Sequence, residues 1–285
     1  MRIGAWQLRR VLGQGEFGAT WLAEDDGGQP AAVKLLTQPP GGDLLTLARI
    51  VHPSVVGVLG GGGTPVPHLV MEYVVGKPLT AFLRSGPAPE ERALAVVARL
   101  ADALDVVHRA GVVHGDLKPD NVMVESMKEQ RLQIIDFGLA EYRKGGTLNY
   151  AAPERMRGGS SSVEADVYSL GLLLWEMLHG SLPFAEVGLS TALLRRQKQV
   201  PEAQAGPRWL RELLTDLLAI EPSHRPSAGD LADRLIQRGA RIDPPDVKLL
   251  TRRARSLWVL SDSLREAVAG WLADGGRLAL VGPSG

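Results

Sequence analysis

The sequence predicts an α+β protein in which β-strands come first and helices follow. Five short apolar stretches bounded by turn residues predict strands at 8–12, 20–23, 31–35, 55–59 and 68–71. Apolar residues then recur at helical spacing over 90–110, which predicts a long amphipathic helix, and 166–175 is apolar enough for a buried helix. Strands followed by helices along one chain are typical of the α+β class.

Composition narrows the classes of function. The 285 residues hold 32 basic and 32 acidic side chains, so the formal net charge is zero. A neutral chain gives no electrostatic reason to expect nucleic acid or an anionic membrane as a partner. The absence of cysteine excludes disulfides and thiolate metal sites. No apolar run is long enough to span a bilayer and the first residues show no apolar signal core, so we expect a cytoplasmic protein.

Three polar side chains with complementary chemistry lie within six residues, namely Asp116, Lys118 and Asn121. The apolar residues on both sides and Pro119 indicate a loop held on buried strands. A carboxylate, an ammonium and a carboxamide side by side can orient a hydroxyl, neutralise a phosphate and help to hold a metal ion. A polar hairpin with solvated side chains is the alternative. Asp136, which follows a second apolar strand, favours the chemical interpretation.

The motifs and their order resemble those of a eukaryotic-type protein kinase. The run HGDLKPDN from His114 to Asn121 is followed by Asp136-Phe137-Gly138 and then by Ala152-Pro153-Glu154. Lys118, two residues after the aspartate, resembles the serine/threonine branch. The resemblance covers about residues 6–238. It implies a bilobal fold, with a small β-rich N-lobe over about 1–75 that has a shortened C-helix, and a larger helical C-lobe over about 76–239.

The resemblance also implies roles for the residues of the catalytic loop. Asp116 would accept the proton of the substrate hydroxyl, and Lys118 would lie beside the γ-phosphate of ATP. Asn121 and Asp136 would hold Mg²⁺. Thr147 matches the threonine that hydrogen-bonds near the catalytic aspartate and lysine, and is therefore expected to be catalytic and not regulatory.

Glycines at positions 13, 15 and 18 lie between two predicted strands. This spacing lets a hairpin lie close over phosphates. A dinucleotide fingerprint would need a helix directly after the glycines, whereas β-rich residues follow, which favours a kinase-type loop. Lys34 would reach the α- and β-phosphates. The nucleotide-binding residues that the resemblance implies are Leu12, Gly13, Gln14, Gly15, Glu16, Phe17, Gly18, Thr20, Ala32, Lys34, Met71, Glu72, Val74 and Met123.

The helix that normally supplies a glutamate partner for the strand lysine departs from the family's pattern. Pro39-Pro40-Gly41-Gly42 cannot be helix interior, which leaves about two and a half turns before His52. Asp43 falls where the glutamate belongs. It either pairs with Lys34 or caps the shortened helix, and a partner that completes this side of the lobe is a third alternative.

Gly115 is the second departure from the pattern. Many kinases carry an arginine there, which pairs with a phosphate on the activation loop. Glycine supplies no charge, so we expect a kinase that needs no loop phosphorylation.

Five further side chains are expected to be structural. Glu154 would be buried against Arg225, and Asp166 would hold the backbone of the catalytic loop. His108 is expected to be packed or capping, and His114 to be an anchor.

The last residues, 240–285, predict a separate segment. Asp243-Pro244-Pro245 indicates a linker, and the basic stretch 247–260 is typical of a solvated helix face. A predicted strand over 277–281 runs into Gly282-Pro283-Ser284-Gly285, which resembles the opening of a P-loop without its Gly-Lys-Ser/Thr. We expect the start of a P-loop NTPase domain. A strand that ends in a polar turn is the alternative.

These observations predict an ATP- and Mg²⁺-dependent serine/threonine kinase of bacterial type that acts on proteins. The first alternative is a small-molecule phosphotransferase, because such enzymes also use His-Gly-Asp. The second alternative is a pseudokinase that binds nucleotide without turnover, and the short segment around Asp43 favours it. Lys34, Asp116, Asn121 and Asp136 together oppose it.

Overall fold

A computed structural model of the chain describes residues 1–15, 18–37, 46–127, 131–137 and 148–242. These residues form two compact units. The first contains Met1–Val75 and Arg109–Val112, and the second contains Gly76–His108 and the described chain from Val113 onward. The first unit is mainly β-sheet and the second mainly helix, as the sequence predicts. In the described part of the chain, no helix is both long and apolar enough to cross a membrane.

The first unit is built on a six-stranded antiparallel sheet. Its strands are β1 (Arg2–Ile3), β2 (Trp6–Gly15), β3 (Gly18–Glu24), β4 (Pro30–Leu35), β5 (Val58–Gly62) and β6 (His68–Glu72), in the order β1-β2-β3-β4-β6-β5. Side chains alternate between the two faces of a strand. One face buries Ile3, Leu8, Ala23, Ala31, Val33 and Val70, with Trp6, Trp21 and Leu35 packed against them. This core fixes which residues of β3, β4 and β6 lie on the other face.

The position of β5 differs from the sequence-based prediction. The strand begins at Val58 and includes Gly60–Gly62, which pair with Val70–His68 of β6. The predicted bounds of 55–59 are therefore wrong for this strand, because hydrogen bonding to β6 holds the three glycines in the sheet although glycine has little strand propensity of its own. Val55 stays buried at 1% exposure but lies in a turn, where its N–H donates to the carbonyl of His52.

The second unit consists of seven described helices and a small sheet. The helices are α1 (Leu79–Leu83), α2 (Glu90–Arg109), α3 (Pro153–Met156), α4 (Val163–His179), α5 (Leu189–Arg196), α6 (Arg208–Leu217) and α7 (Ala228–Gln237). The sheet contains β7 (Lys77–Pro78), β8 (Val122–Ser126) and β9 (Arg131–Ile134), in that order. The core consists mainly of α2 and α4, which bury thirteen and twelve residues respectively.

Helix α4 begins three residues before Asp166, earlier than the sequence-based prediction. Ser162 caps its first turn by accepting the N–H of Ala165, and Gly180 ends it with a left-handed backbone at φ 76°. In the middle of the helix, a Cβ on Gly171 would lie 2.8 Å from the Cβ of Leu217. The glycine therefore lets α6 pack directly on the backbone of α4, and the position of Asp166 is set by a tightly packed helix.

Candidate active site

The loop before β8 brings together two predicted catalytic side chains, Asp116 and Lys118, and the predicted metal ligand Asn121. Lys118 Nζ lies 2.8 Å from Asp116 Oδ2, and both side chains are largely buried, at 14% and 16% exposure. Asn121 Nδ2 donates to the backbone carbonyl of Asp116 at 2.8 Å and to its Oδ2 at 3.1 Å. The Asp116 carboxylate is thus held by two donors that come from residues two and five positions later in the chain.

His114 fixes the start of this loop. Its ring is fully buried and packs against Phe137 with the ring centroids 4.7 Å apart. Its Nδ1 accepts the N–H of Asp116 at 3.1 Å, so Nε2 carries the proton and donates to the carbonyl of Ile135 at 2.9 Å. Both ring nitrogens are engaged in structural hydrogen bonds, which leaves an anchoring role for the side chain.

Asp166 holds the same loop from helix α4. Its Oδ2 accepts the backbone N–H of His114 and its Oδ1 that of Gly115, both at 2.8 Å. His108 Nε2 lies 2.9 Å from Oδ2, and the Asp166 side chain is only 1% exposed. A buried carboxylate needs such donors, and here they tie two successive loop amides to a largely buried helix. Gly115 takes a left-handed backbone at φ 74° between these contacts.

Asn121 and Asp136 lie at adjoining strand ends. Val122 at the start of β8 pairs with Ile134 at the end of β9, and the N–H of Ile135 donates to the carbonyl of Asn121 at 2.9 Å. Because Nδ2 of Asn121 is directed at Asp116, its carboxamide oxygen is the atom left to act as a ligand. Together with the Asp136 carboxylate it would offer the type of oxygen donor that Mg²⁺ prefers.

The backbone of Asp136 takes an uncommon conformation, with φ at 65°. Non-glycine residues in this region are rare and mark functional sites more often than other positions. The strained residue directly follows Ile135, whose N–H donates to the carbonyl of Asn121.

Glu154 and Arg225 form the ion pair that the sequence predicts. Arg225 NH1 lies 2.6 Å from Oε1 and NH2 lies 2.8 Å from Oε2, which is a two-pronged geometry. Arg225 also donates to the carbonyls of Ala219, Glu164 and Ile220. Burial raises the pKa of Glu154, but the hydrogen bonds from Arg225 and the backbone outweigh it and the pKa is lowered overall.

Three residues around the turn Leu148–Tyr150 were not predicted. The Tyr150 hydroxyl donates to Glu176, Ser169 Oγ donates to the carbonyl of Tyr150 at 2.9 Å, and Arg196 NH1 donates to the carbonyl of Asn149. Each pair is separated by at least 19 residues, so no local pattern in the sequence could indicate it. The conformation of this turn depends on helices α4 and α5.

In the first unit, the pairing of the strands places several predicted nucleotide-binding residues next to one another. Thr20 lies opposite Lys34, Lys34 opposite Leu69 and Ala32 opposite Met71, so these side chains share the sheet face opposite the core. Gly13 pairs with Thr20 and Gln14 with Ala19 in the hairpin that precedes them. Lys34 is buried at 6% exposure, which is unusual for lysine and favours a functional role.

The remaining predicted residues are placed as follows. Leu12 and Gly15 lie in β2, Gly18 begins β3, Glu72 ends β6, half-buried Val74 follows it and Met123 lies in β8. Glu16, Phe17, Asp43 and Thr147 lie outside the described residues. The described chain resumes at Thr46, three residues after Asp43, and Thr46 and Leu47 are helical. A turn follows, in which the N–H groups of Arg49 and Ile50 donate to the carbonyls of Thr46 and Leu47.

Comparison with known proteins agrees with this geometry. The family model for the protein kinase domain matches residues 6–235. The chain is 29% identical over 252 residues to the serine/threonine-protein kinase PrkC of Bacillus subtilis, covering 78% of this chain and 38% of that protein. It is 32% identical over 274 residues to the serine/threonine-protein kinase PknA of Mycobacterium tuberculosis, covering 85% and 63%. The chain therefore spans less than two thirds of the length of either relative.

A solved structure shows the same architecture. The crystal structure of Rad53 in complex with AMP-PNP matches with a TM-score of 0.70 and 27% identity, over 80% of this chain and 64% of that one. The likeness confirms the predicted kinase fold, with its β-sheet N-lobe and helical C-lobe. By its fold, its motifs and a family match that covers most of its length, the chain belongs to the protein kinase family.

Proposed function

We propose that the chain is an ATP- and Mg²⁺-dependent kinase that transfers the γ-phosphate to serine or threonine hydroxyls of proteins. The observation that carries the proposal is that Lys118 and Asn121 both contact Asp116 within 3.1 Å, and that Asn121 is hydrogen-bonded through its backbone to the residue before Asp136. The serine/threonine assignment rests on Lys118 and on the names of the relatives.

In this function, Asp116 orients the substrate hydroxyl and accepts its proton. Lys118, which is held against Asp116 at 2.8 Å, places a positive charge beside the transferred phosphoryl group. The oxygens of Asn121 and Asp136 would bind Mg²⁺, which neutralises charge on the phosphates when bound. Most of the rate gain comes from positioning and charge stabilisation, because phosphoryl transfer asks little covalent chemistry of the protein.

ATP binding is assigned to the sheet face that carries Thr20, Ala32, Lys34 and Met71. Ala32 is small enough to lie against the adenine, and Lys34 provides a buried cation for the α- and β-phosphates. The glycine hairpin of β2 and β3 offers backbone N–H groups. Thr20 stands where the family's pattern has valine, and it adds a hydroxyl on the same face as Lys34.

The proposed kinase works without phosphorylation of its own loop. Gly115 has no charge that could bind a loop phosphate, and the turn Leu148–Tyr150 is already held by Ser169 and Glu176. If mass spectrometry finds phosphate on residues 138–151 and a phosphatase then abolishes activity, this part of the proposal is wrong.

Further assignments extend the proposal beyond the catalytic residues. Residues 1–239 form the kinase domain, and 240–285 form a linker followed by the opening of a P-loop NTPase domain. Thr147 is assigned to hydrogen bonds near Asp116 and Lys118, and Asp43 either to the place of the glutamate that pairs with Lys34 or to the cap of the shortened helix; both lie outside the described residues. The kinase acts on cytoplasmic proteins. Removing residues 240–285 should leave phosphate transfer intact if the domain division is right.

The first experiment measures phosphate transfer from labelled ATP with Mg²⁺, to the chain itself and to a generic basic protein, beside Asp116→Ala. Transfer to serine or threonine that disappears in the mutant supports the proposal. ATP binding without transfer in the native chain would instead indicate a pseudokinase. Transfer only to an aminoglycoside-type small molecule would indicate the other alternative.

A further inference from the structure

Helix α5 ends in an arginine that the fold buries completely. Arg196 is 1% exposed and is the largest fully buried side chain of the described residues. Within these residues its guanidinium makes one hydrogen bond, from NH1 to the carbonyl of Asn149, and its Nε has no partner. The preceding residue, Arg195, is solvent-exposed and lies 3.8 Å from Glu186.

A buried guanidinium without a counter-charge destabilises the folded state, because a carbonyl replaces only part of its lost hydration. Burial accordingly lowers the pKa of Arg196, although the neighbouring Tyr168 and Tyr150 raise it in part. An apolar side chain of similar length would serve the fold as well or better. The presence of arginine is therefore explained by its hydrogen bond to the carbonyl of Asn149.

The carbonyl of Asn149 belongs to a short turn whose backbone is held from two helices. Ser169 of α4 donates to the carbonyl of Tyr150 at 2.9 Å, and Arg196 of α5 donates one residue earlier. The N–H of Ala151 closes the turn on the carbonyl of Leu148 at 3.0 Å. Loss of the Arg196 contact would leave the first half of the turn without its side-chain donor.

We propose that Arg196 is a positioning residue that holds the turn Leu148–Tyr150 in the conformation required for phosphate transfer to a protein. The inference rests on the proposed function for its kinetic consequence. Thr147 directly precedes the turn in the chain, and the proposed function assigns it to hydrogen bonds near Asp116 and Lys118. Arg196 thereby holds the backbone at Asn149 through a built-in cation and without a phosphorylated side chain.

The test uses the 285-residue chain and three variants. Arg196→Met removes the donor at similar length, Arg196→Lys keeps a donor with shorter reach, and Arg195→Met is the control at the exposed neighbour. Hydrogen exchange of the Ala151 amide reports the turn itself, whether or not the chain is active. Thermal unfolding reports stability, and steady-state kinetics separate the protein substrate from ATP.

We expect Arg196→Met to speed hydrogen exchange at the Ala151 amide and to lower kcat/KM for the protein substrate by about tenfold. The KM for ATP should stay the same, and the melting temperature should stay the same or rise. Arg196→Lys should recover most of the substrate kinetics, and Arg195→Met should match the native chain. Unchanged exchange at Ala151 in Arg196→Met overturns the inference, and so does a loss of activity that only parallels a loss of stability. A native chain that transfers no phosphate counts against the proposed function, and the exchange experiment still decides the role of Arg196.

Discussion

Asp166 Oδ1 accepts the backbone N–H of Gly115 at 2.8 Å, which links the first turn of α4 to the residue before Asp116. The second carboxylate oxygen accepts the N–H of His114 and faces His108. Asp166→Ala leaves these buried donors without an acceptor, so we expect it to lower the free energy of unfolding by about 3 kcal/mol and to reduce kcat. Denaturant unfolding and phosphate transfer measure the two effects.

Asp166→Asn is the matched variant for this prediction. It keeps the shape and one acceptor oxygen but loses the charge that faces His108. We expect a smaller loss of stability than in Asp166→Ala. Equal losses in both variants would mean that one remaining acceptor oxygen stabilises the loop no better than none.

Glu154 should make stability fall in acid. Its pKa is lowered in the folded protein, because the hydrogen bonds from Arg225 and the backbone outweigh burial. A depressed folded-state pKa contributes stability that is present above the unfolded-state value of 4.5 and is lost as the pH falls through the folded-state value. Glu154→Gln should therefore be less stable than the native chain at pH 7, and the difference should shrink as the pH drops below about 4.5. A constant difference across this range in urea unfolding would contradict the prediction.

Glu176 should behave in the opposite way. Burial raises its pKa and the charge of Asp120 adds to this, while the hydrogen bond from Tyr150 opposes it. A raised folded-state pKa contributes stability that is complete below the unfolded-state value and is lost as the pH rises through the folded-state value. Glu176→Gln still accepts the Tyr150 hydroxyl but carries no charge, so we expect it to be more stable than the native chain at pH 7 and to lose that advantage below pH 4.5. Lower stability of Glu176→Gln at pH 7 would show that the ionised form is favoured by its surroundings.

The loop 114–121 could be predicted because its polar residues lie close together in the sequence. Asp116, Lys118 and Asn121 lie within six residues, and the structure joins them directly. The sheet was predictable wherever the strands carry apolar residues, but Gly60–Gly62 form a strand only because β6 pairs with them. Contacts such as Arg196 with Asn149 span 47 residues and depend on how α5 packs, which no short pattern encodes.

Gly171 should not tolerate a larger residue. An added Cβ would lie 2.8 Å from the Cβ of Leu217 and 3.0 Å from Cδ2 of Leu218, inside the distances that packed side chains adopt. The helix backbone would gain from alanine, but overpacking costs more, so we expect Gly171→Ala to lower the free energy of unfolding by about 2 kcal/mol. Thr191→Ala, at an exposed position of α5, is the control and should change the free energy of unfolding by less than about 0.5 kcal/mol. A stabilised Gly171→Ala would mean that α4 and α6 separate easily.

Asn121 links the geometry of Asp116 to the proposed Mg²⁺ site. Its Nδ2 donates to Asp116, and its carboxamide oxygen is the proposed ligand beside Asp136. Asn121→Ala removes both, so we expect the Mg²⁺ concentration for half-maximal phosphate transfer to rise by about tenfold or more and kcat to fall as well. The control is Asp120→Asn, which changes the charge of an exposed neighbour that hydrogen-bonds to Thr80. Titration with Mg²⁺ at fixed ATP separates the two effects. A fall in kcat with an unchanged Mg²⁺ requirement would limit Asn121 to holding Asp116 and would assign the metal to other ligands.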